Sequence, residues 1–313
     1  MNGSSSPVKV LFVAGTGRSG TTILSSILAQ LPGGLGIGEL RYVWERGFGL
    51  DHRCGCGELF GQCPLWTEVV AQAYPGGPPD PVAVSADLLD RLRMLRVPSM
   101  LVRQAMGRRV VPSTPHDAEI GALYAALDEL HHPSVIIDSS KLPPYGKLVE
   151  QLPGVDFYVV HIVRDPRANA FSWRRTKATH DRNDDAVMER LELWRSAVMW
   201  LVWNYVVGYW WSRRGSRYLR IRYEDFVDHP RRTVEEIAAM VGVSTEALPF
   251  VDDRSVQIEP THSVAGNPNR HDRGLVVLRR DDEWVSAMSG WQRAFVTAMT
   301  LPGLRHFGYQ VRV

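Results

Sequence analysis

The residues Gly15-Thr16-Gly17-Arg18-Ser19-Gly20-Thr21-Thr22 have the composition of an anion cradle. Glycines let a backbone turn its N–H groups inward, and a helix opening at Thr21 adds partial positive charge at its N-terminus. By spacing alone the string fits two frames. It matches G-x-G-x-x-G, with Glu39 placed 19 residues beyond Gly20 like the ribose-binding acid of a dinucleotide site. It also matches the triphosphate frame G-x-x-x-x-G-K-[ST], except that Thr21 stands where the lysine belongs. A phosphoryl-transfer enzyme leans on that lysine and on Mg²⁺ to neutralise the γ-phosphoryl group. Under a kinase reading Asp138, which ends an apolar run, is the residue that would hold the metal.

Three more polar clusters follow apolar runs in the same way. Val135 to Ile137 leads into Asp138-Ser139-Ser140-Lys141, Phe157 to Val163 into Arg164-Asp165-Pro166-Arg167, and Tyr218 to Ile221 into Arg222-Tyr223-Glu224-Asp225. With Val8 to Ala14 ahead of the glycine loop, these are four strands. Their runs are continuous rather than alternating, which suits strands buried on both faces of a parallel sheet. Open α/β sheets bind ligands beyond the carboxyl ends of their strands, so the clusters are expected to converge on one site. A dinucleotide site would use the first cluster and leave the other three without a task.

Helical patterns separate the strands. Thr21 to Leu31 sets Ile23, Leu24, Ile27, Leu28 and Leu31 on one face. Ser85 is expected to cap a helix carrying Leu88, Leu89, Leu92 and Leu95, and Asp117 another carrying Ile120, Leu123, Tyr124, Leu127 and Leu130. Residues 75–81, rich in Pro and Gly, form a loop. Residues from about 45 to 132 thus read as a helical insertion between the first and second strands. Met188 to Arg214 carries five tryptophans and reads as a helix with its aromatic face against the sheet, or as a stacking platform for a sugar. Residues 1–7 are expected to form a flexible polar tail, and the rest to form one domain.

Composition narrows the possibilities. Among 313 residues, 36 Lys+Arg against 34 Asp+Glu give a net charge of +2, too weak a field for dedicated nucleic-acid binding. With 44% hydrophobic and 22% charged residues the chain is of ordinary globular type. The longest apolar stretch, Ala197 to Trp211, falls short of the ~20 residues of a membrane span. No targeting segment is evident, and a cytoplasmic location is the expectation. The basic pairs Arg108-Arg109, Arg213-Arg214 and Arg231-Arg232 read as solvated faces.

Taken together, the clusters resemble the sulfotransferases that use 3′-phosphoadenosine 5′-phosphosulfate (PAPS). Arg18-Ser19-Gly20-Thr21-Thr22 is similar to the 5′-phosphosulfate loop of the Golgi-type tyrosylprotein and carbohydrate branch. Cytosolic members carry a loop lysine and a Thr-Trp pair, both absent here. Arg164-Asp165-Pro166-Arg167, with Ser172 eight residues after Arg164, resembles the 3′-phosphate clamp. Arg222-Tyr223-Glu224-Asp225-Phe226 resembles the segment whose tyrosine borders the adenine. The likeness spans about residues 8–44 and 134–245. It implies an α/β, three-layer, P-loop-like sulfotransferase fold with a central, mainly parallel sheet.

By the same resemblance, Gly17, Arg18, Ser19, Gly20, Thr21 and Thr22 bind the 5′ end of PAPS, Arg164 and Ser172 its 3′-phosphate, and Tyr223 its adenine. Glu39 corresponds to the general base, Lys141 to the lysine near the transferred group, and Arg18 joins them in catalysis. The plainer alternatives are a surface salt bridge of Glu39 to Arg41 or Arg46, and a solvated loop position for Lys141. His262 to Arg273, including Asn267, is expected to fold over the nucleotide. A basic residue of the family twelve positions after the clamp arginine is Thr176 here, with Arg175 or Lys177 as substitutes. The cytosolic branch's closing Arg-Lys-Gly string is missing, with only Arg273-Gly274 resembling it.

A sulfuryl group carries less charge than a γ-phosphoryl group, so N–H groups, hydroxyls, one Arg and one Lys suffice and no metal is required. The acceptor is a hydroxyl of a glycan, a glycolipid, a natural product or a tyrosyl side chain; Arg41, Tyr42 and Trp44 beside Glu39 favour a sugar or an apolar ring. An ATP-dependent small-molecule kinase and a non-catalytic nucleotide-binding protein are the alternatives. Cys54, Cys56 and Cys63, with His52, have the ligand types of a zinc site, but C-x-C with a third cysteine six residues on is not a standard zinc spacing. Local packing, or a disulfide from Cys63 to one of the others, is expected instead.

Overall fold

The computed structural model describes residues 7–175 and 188–311. Five parallel strands, β1 (Val8–Ala14), β2 (Gly34–Gly38), β3 (Val135–Lys141), β4 (Val155–Val163) and β5 (Tyr218–Arg222), form one sheet in the order β2-β3-β1-β4-β5. The helices in chain order are α1 (Thr21–Leu28), α2 (Pro64–Ala73), α3 (Pro81–Arg91), α4 (Val97–Ala105), α5 (His116–His131), α6 (Pro143–Glu150), α7 (Pro166–Arg174), α8 (Leu193–Trp211), α9 (Tyr223–Asp228), α10 (Pro230–Val241), α11 (Glu283–Ala287) and α12 (Gly290–His306). A second, two-stranded antiparallel sheet pairs β6 (Ser255–Ile258) with β7 (Gly274–Val277).

Of the four expected strands, β1, β3 and β4 are buried on both faces, whereas β5, at the sheet edge, is not and leaves Arg220 exposed. Along β1, Val10, Phe12 and Ala14 pack with α5, α6 and α8, while Leu11 and Val13 pack with α1, α9 and α10. Side chains of successive residues point to opposite faces of a strand, so each covering layer takes every second one. The tryptophan-rich helix supplies part of this cover. Trp211 packs against Phe12 and Phe157, and Trp200 Nε1 donates to the Arg164 carbonyl at 2.8 Å. Its aromatic face is not wholly buried, because Trp194 is 54% exposed.

Several sequence expectations are corrected. The edge strand β2 lies between the first and second expected strands, so the helical insertion follows β2 rather than β1. Its sequence, Gly-Leu-Gly-Ile-Gly, has low strand propensity. The glycines are there for space: a Cβ on Gly36 would sit 2.6 Å from the Cβ of Ala29, and one on Gly34 2.7 Å from the Leu28 carbonyl oxygen. Strand β3 also runs on through Asp138 to Lys141. In the insertion, Asp80 rather than Ser85 caps α3, accepting from Val82 N at 2.9 Å. Leu89 and Leu95 are exposed there, with Leu88 and Leu92 in the core. Asp117 lies inside α5 and pairs with Arg91 and Arg109 across the insertion at 2.9 and 2.8 Å. The basic pairs are not all solvated faces either, since Arg214 pairs with Glu150.

No disulfide joins the three cysteines, so of the two expected arrangements, local packing or a disulfide from Cys63, the disulfide is not found. The histidine beside them is His262 rather than His52.

Candidate active site

Strand β1 ends at Ala14 and α1 begins at Thr21; the loop between them bends because Gly20 takes a left-handed φ of 85°. A side chain there would strike the Tyr223 ring, with a Cβ only 2.5 Å from it. The ring itself supports the Arg164 guanidinium at 4.6 Å, and Arg164 Nη1 donates to the Arg18 carbonyl at 3.0 Å. Gly20, Arg164 and Tyr223, drawn from three strand ends, are therefore one constellation. It opens onto a cleft of about 840 Å³.

The cleft has one wall of cations. Arg18 is 7% exposed, lies over the Trp173 ring at 5.1 Å, and its three guanidinium nitrogens have no hydrogen-bond partner among the described residues. Burial lowers its pKa, yet an arginine keeps its proton throughout the working pH range. A buried guanidinium with idle donors is costly unless an anion completes it. Arg164 is buried too, with Nη2 held by Asp281 Oδ2 at 3.1 Å and Nε without a partner among the described residues. Thr21, Thr22, Gly17 and Ser172 line the same space.

Ser19 sits differently. Its side chain is fully buried, bonded to Thr16 at 2.8 Å and to Asn169 Nδ2 at 3.2 Å, so its hydroxyl braces the loop rather than facing the cleft. Asn169 also donates to the Gly17 carbonyl at 2.8 Å. Sequence reasoning missed this residue; the available signal was its position in the first turn after Asp165-Pro166, where a helix side chain faces the loop beside it. Asp165 caps that helix by accepting from Arg167 N at 2.8 Å. Glu224 is a strut: it accepts from Asp165 N at 3.0 Å and from the Tyr309 hydroxyl at 2.7 Å, tying the ends of β4 and β5 together.

The same cleft is also lined by an ion pair. Glu39 directly follows β2 and Lys141 ends β3, and Lys141 Nζ donates to Glu39 Oε1. Both are buried, Glu39 and Lys141 each at 8% exposure, so neither the exposed salt bridge nor the solvated lysine describes them. Burial pushes the Glu39 carboxyl up, but Lys141, then Arg41 and Arg46, outweigh it and hold the pKa below the ordinary value. Lys141 adopts a left-handed φ of 65°, a conformation that a non-glycine residue pays for and that recurs at functional sites. The turn aims its amine at the cleft while Asp138, three residues back, points the other way. Asp138 is fully buried and accepts from Ser140 N at 2.7 Å and from the Tyr124 hydroxyl; burial raises its pKa to about 6. It does not line the cleft.

The segment His262 to Arg273 closes one side, with Gly266, Asn267, Asn269 and Asp272 facing the cleft. Asn267 N donates to Thr22 Oγ1 at 3.4 Å, and Asn267 Oδ1 is buried without a partner among the described residues. Arg273 turns away to the Cys56 carbonyl. The Tyr42 ring carries the guanidinium groups of Arg41 at 3.7 Å and Arg46 at 4.4 Å, and Trp203 lines the same cleft. Trp44 does not take part, being buried in the core against Phe48. Thr176 and Lys177 lie outside the described residues; Arg175 pairs with Asp281 and Glu283 at 3.5 and 3.1 Å. Among the described residues no helix is long and apolar enough to cross a membrane.

The family profile described as "Sulfotransferase domain" matches residues 9–263. No individually curated protein gives a significant match. Among solved structures, the chain is similar to the sulfotransferase domain from the Synechococcus PCC 7002 olefin synthase, with 22% identity, a TM-score of 0.57, and coverage of 99% of this chain and 98% of that one. It is also similar to the sulfotransferase domain from the curacin biosynthetic pathway, at 16% identity and a TM-score of 0.55, over 98% of this chain and 99% of that one. At these identities the likeness is one of fold.

Proposed function

The chain belongs to the sulfotransferase-domain family, and from that membership we propose that it moves a sulfuryl group from PAPS to an acceptor hydroxyl, with Glu39 as general base. The observation that carries this reading is the presence of two features lining one cleft. One is a cationic wall with idle guanidinium donors on Arg18; the other is a buried carboxylate–ammonium pair, Glu39 with Lys141.

The residues suit a doubly phosphorylated nucleoside. The N–H groups of the glycine loop, Arg18, Thr21 and Thr22 would hold its 5′ end; Arg164 and Ser172 would hold the 3′-phosphate, for which a guanidinium fork is geometrically matched. Tyr223 and Asn267 would border the base and ribose. Bound PAPS supplies an activated sulfuryl group: transfer makes a bond from sulfur to the acceptor oxygen and breaks the bond from sulfur to the bridging oxygen. Fixed donors aimed at that oxygen stabilise the charge it gains without reorganising.

Glu39 is ionised at neutral pH because its neighbouring cations keep its pKa low. It is ready to accept a proton, but as a weak base it takes one from an alcohol only as the new bond forms. Lys141 orients the carboxylate beforehand and balances negative charge on the reacting group afterwards. Arg41, Tyr42, Arg46 and Trp203 line the same cleft as Glu39, which suits a ring-bearing hydroxyl acceptor such as a sugar or a phenol.

Two measurements test the reading. Thermal stabilisation by 3′,5′-ADP without magnesium should exceed that by ATP or NAD. Labelled sulfate from PAPS should then appear on members of a hydroxyl panel of glycans, phenols and tyrosyl peptides. Selective stabilisation by Mg-ATP, with activity abolished in Asp138→Ala, would instead favour a kinase, and 3′,5′-ADP binding without sulfate transfer to any acceptor would favour a binding protein.

A further inference from the structure

Cys54, Cys56 and Cys63 precede α2 in the insertion, and His262 comes from the chain entering the cleft wall, 199 residues beyond Cys63. Their three Sγ atoms and one imidazole nitrogen all lie within 4.8 Å of one another. Cys63 Sγ is 3.2 Å and Cys54 Sγ 4.0 Å from His262 Nδ1, and Cys56 Sγ is 3.8 Å from Cys63 Sγ. A disulfide needs its sulfurs at about 2.05 Å. Tetrahedral zinc, with Zn–S of about 2.3 Å, needs sulfurs roughly 3.8 Å apart and a nitrogen slightly closer. The observed separations are of the second kind.

Local structure aims all four atoms inward. Cys54 N donates to the Glu58 carbonyl at 2.8 Å and Gly57 N to the Cys54 carbonyl at 2.9 Å, folding Cys54 to Gly57 into a tight knuckle. Cys63 is fixed as the residue before Pro64, the first of α2. Trp66 Nε1 donates to the His262 carbonyl at 2.8 Å, and Gly55 N to the Ser263 carbonyl at 2.9 Å, so the two segments are held face to face. Cys54 and Cys63 are fully buried. The spacing along the chain concealed this arrangement, because the fourth ligand lies in a distant segment.

We propose that Cys54, Cys56, Cys63 and His262 bind one zinc ion in a closed, structural Cys₃His site. The three thiols bind as thiolates, releasing their protons, and no oxidation or reduction is involved. All four positions are filled by protein, so the metal does no chemistry on a substrate. Its effect is positional. It staples the insertion to residues 262–267, and three residues past His262 the Ala265 carbonyl accepts from Glu39 N at 3.1 Å. The same stretch reaches Thr22 through Asn267. The site stands independently of the sulfuryl-transfer reading.

The test uses the full chain expressed with zinc in the medium and purified without chelator. Elemental analysis should find about one zinc per chain, and its removal should lower the melting temperature reversibly. Replacement by cobalt(II) should give the intense thiolate-to-cobalt absorption and the visible bands of a tetrahedral site. Cys63→Ser and His262→Ala should each lose most of the bound metal, whereas Cys54, Cys56 and Cys63 should all be free to thiol reagents once zinc is withdrawn. Zinc content near zero together with no tetrahedral cobalt spectrum on reconstitution would overturn the proposal. So would a disulfide between any two of the cysteines in the freshly purified protein. Wild-type metal content and spectrum decide the matter even if both variants misfold.

Discussion

Arg164→Ala isolates one contact of the proposed donor site. The side chain is 5% exposed, stacks on Tyr223, and donates to the Arg18 carbonyl and to Asp281. A charge-assisted hydrogen bond to a phosphate contributes about 1.5–3 kcal/mol, which is roughly ten- to two-hundredfold in affinity. Asp281 reduces the gain. It already balances the guanidinium at 3.1 Å and must yield to the incoming phosphate, although at 31% exposure it is partly screened by solvent. The lower part of the range follows, roughly ten- to fortyfold. The assignment is specific to the 3′-phosphate, so the loss belongs to 3′,5′-ADP and not to 5′-AMP, which should weaken by less than about threefold. Calorimetric titration of both ligands into both proteins, at one ionic strength, gives a closed thermodynamic cycle. Arg164→Lys keeps the charge but not the fork and should fall between. Equal losses for the two nucleotides would refute the reasoning, since the arginine would then be supporting the loop and not gripping the 3′-phosphate.

Other expectations follow from the same geometry. Glu39→Gln should bind 3′,5′-ADP within about twofold of wild type while turnover falls ~10²–10⁴; unchanged turnover in a sulfate-transfer assay would remove Glu39 as the base. Gly20→Ala puts a Cβ into the Tyr223 ring at a left-handed φ, where the backbone alone costs about 1–2 kcal/mol. A lower melting temperature and at least a tenfold loss of 3′,5′-ADP affinity are expected by calorimetry. Asp138→Asn should leave nucleotide binding and transfer largely intact, because the carboxylate faces the core; loss of activity in a correctly folded variant would revive the kinase reading. The same variant has a pH signature. The folded pKa of Asp138, about 6, lies above its ordinary 3.8, so its contribution is fully present below about pH 4 and is lost as pH rises through 6. Denaturant titrations across that window should show wild type losing stability relative to Asp138→Asn as pH rises.

How much of this was legible in advance differs by element. β1, β3 and β4 carry continuous apolar runs ending in polar clusters, and such runs report two-sided burial directly; β5 was found by the same pattern but is an edge strand with Arg220 exposed. β2 was not legible, because its glycines answer to the crowding of α1 rather than to strand propensity. Glu39 as a base and Lys141 entered through resemblance, and their mutual contact was invisible because the whole insertion separates them. Asn169 and Asp281 carry no motif. Each acquires its task only when α7 or the stretch before α11 is laid beside the loop or the clamp.

The amino-acid order by itself determined the local chemistry: a glycine loop that must turn before a helix, arginines at strand ends, and strands apolar enough to be buried on both faces. These follow from short-range sterics and from the periodicity of burial, which act within a few residues. Tertiary structure alone decided which charges are paired and which stand ready. It set Lys141 against Glu39, left the Arg18 guanidinium without a hydrogen-bond partner among the described residues, turned Asp138 away from the cleft, and brought His262 to three distant cysteines. Pairing is decided by distance and desolvation in space, and neither quantity is encoded in spacing along the chain.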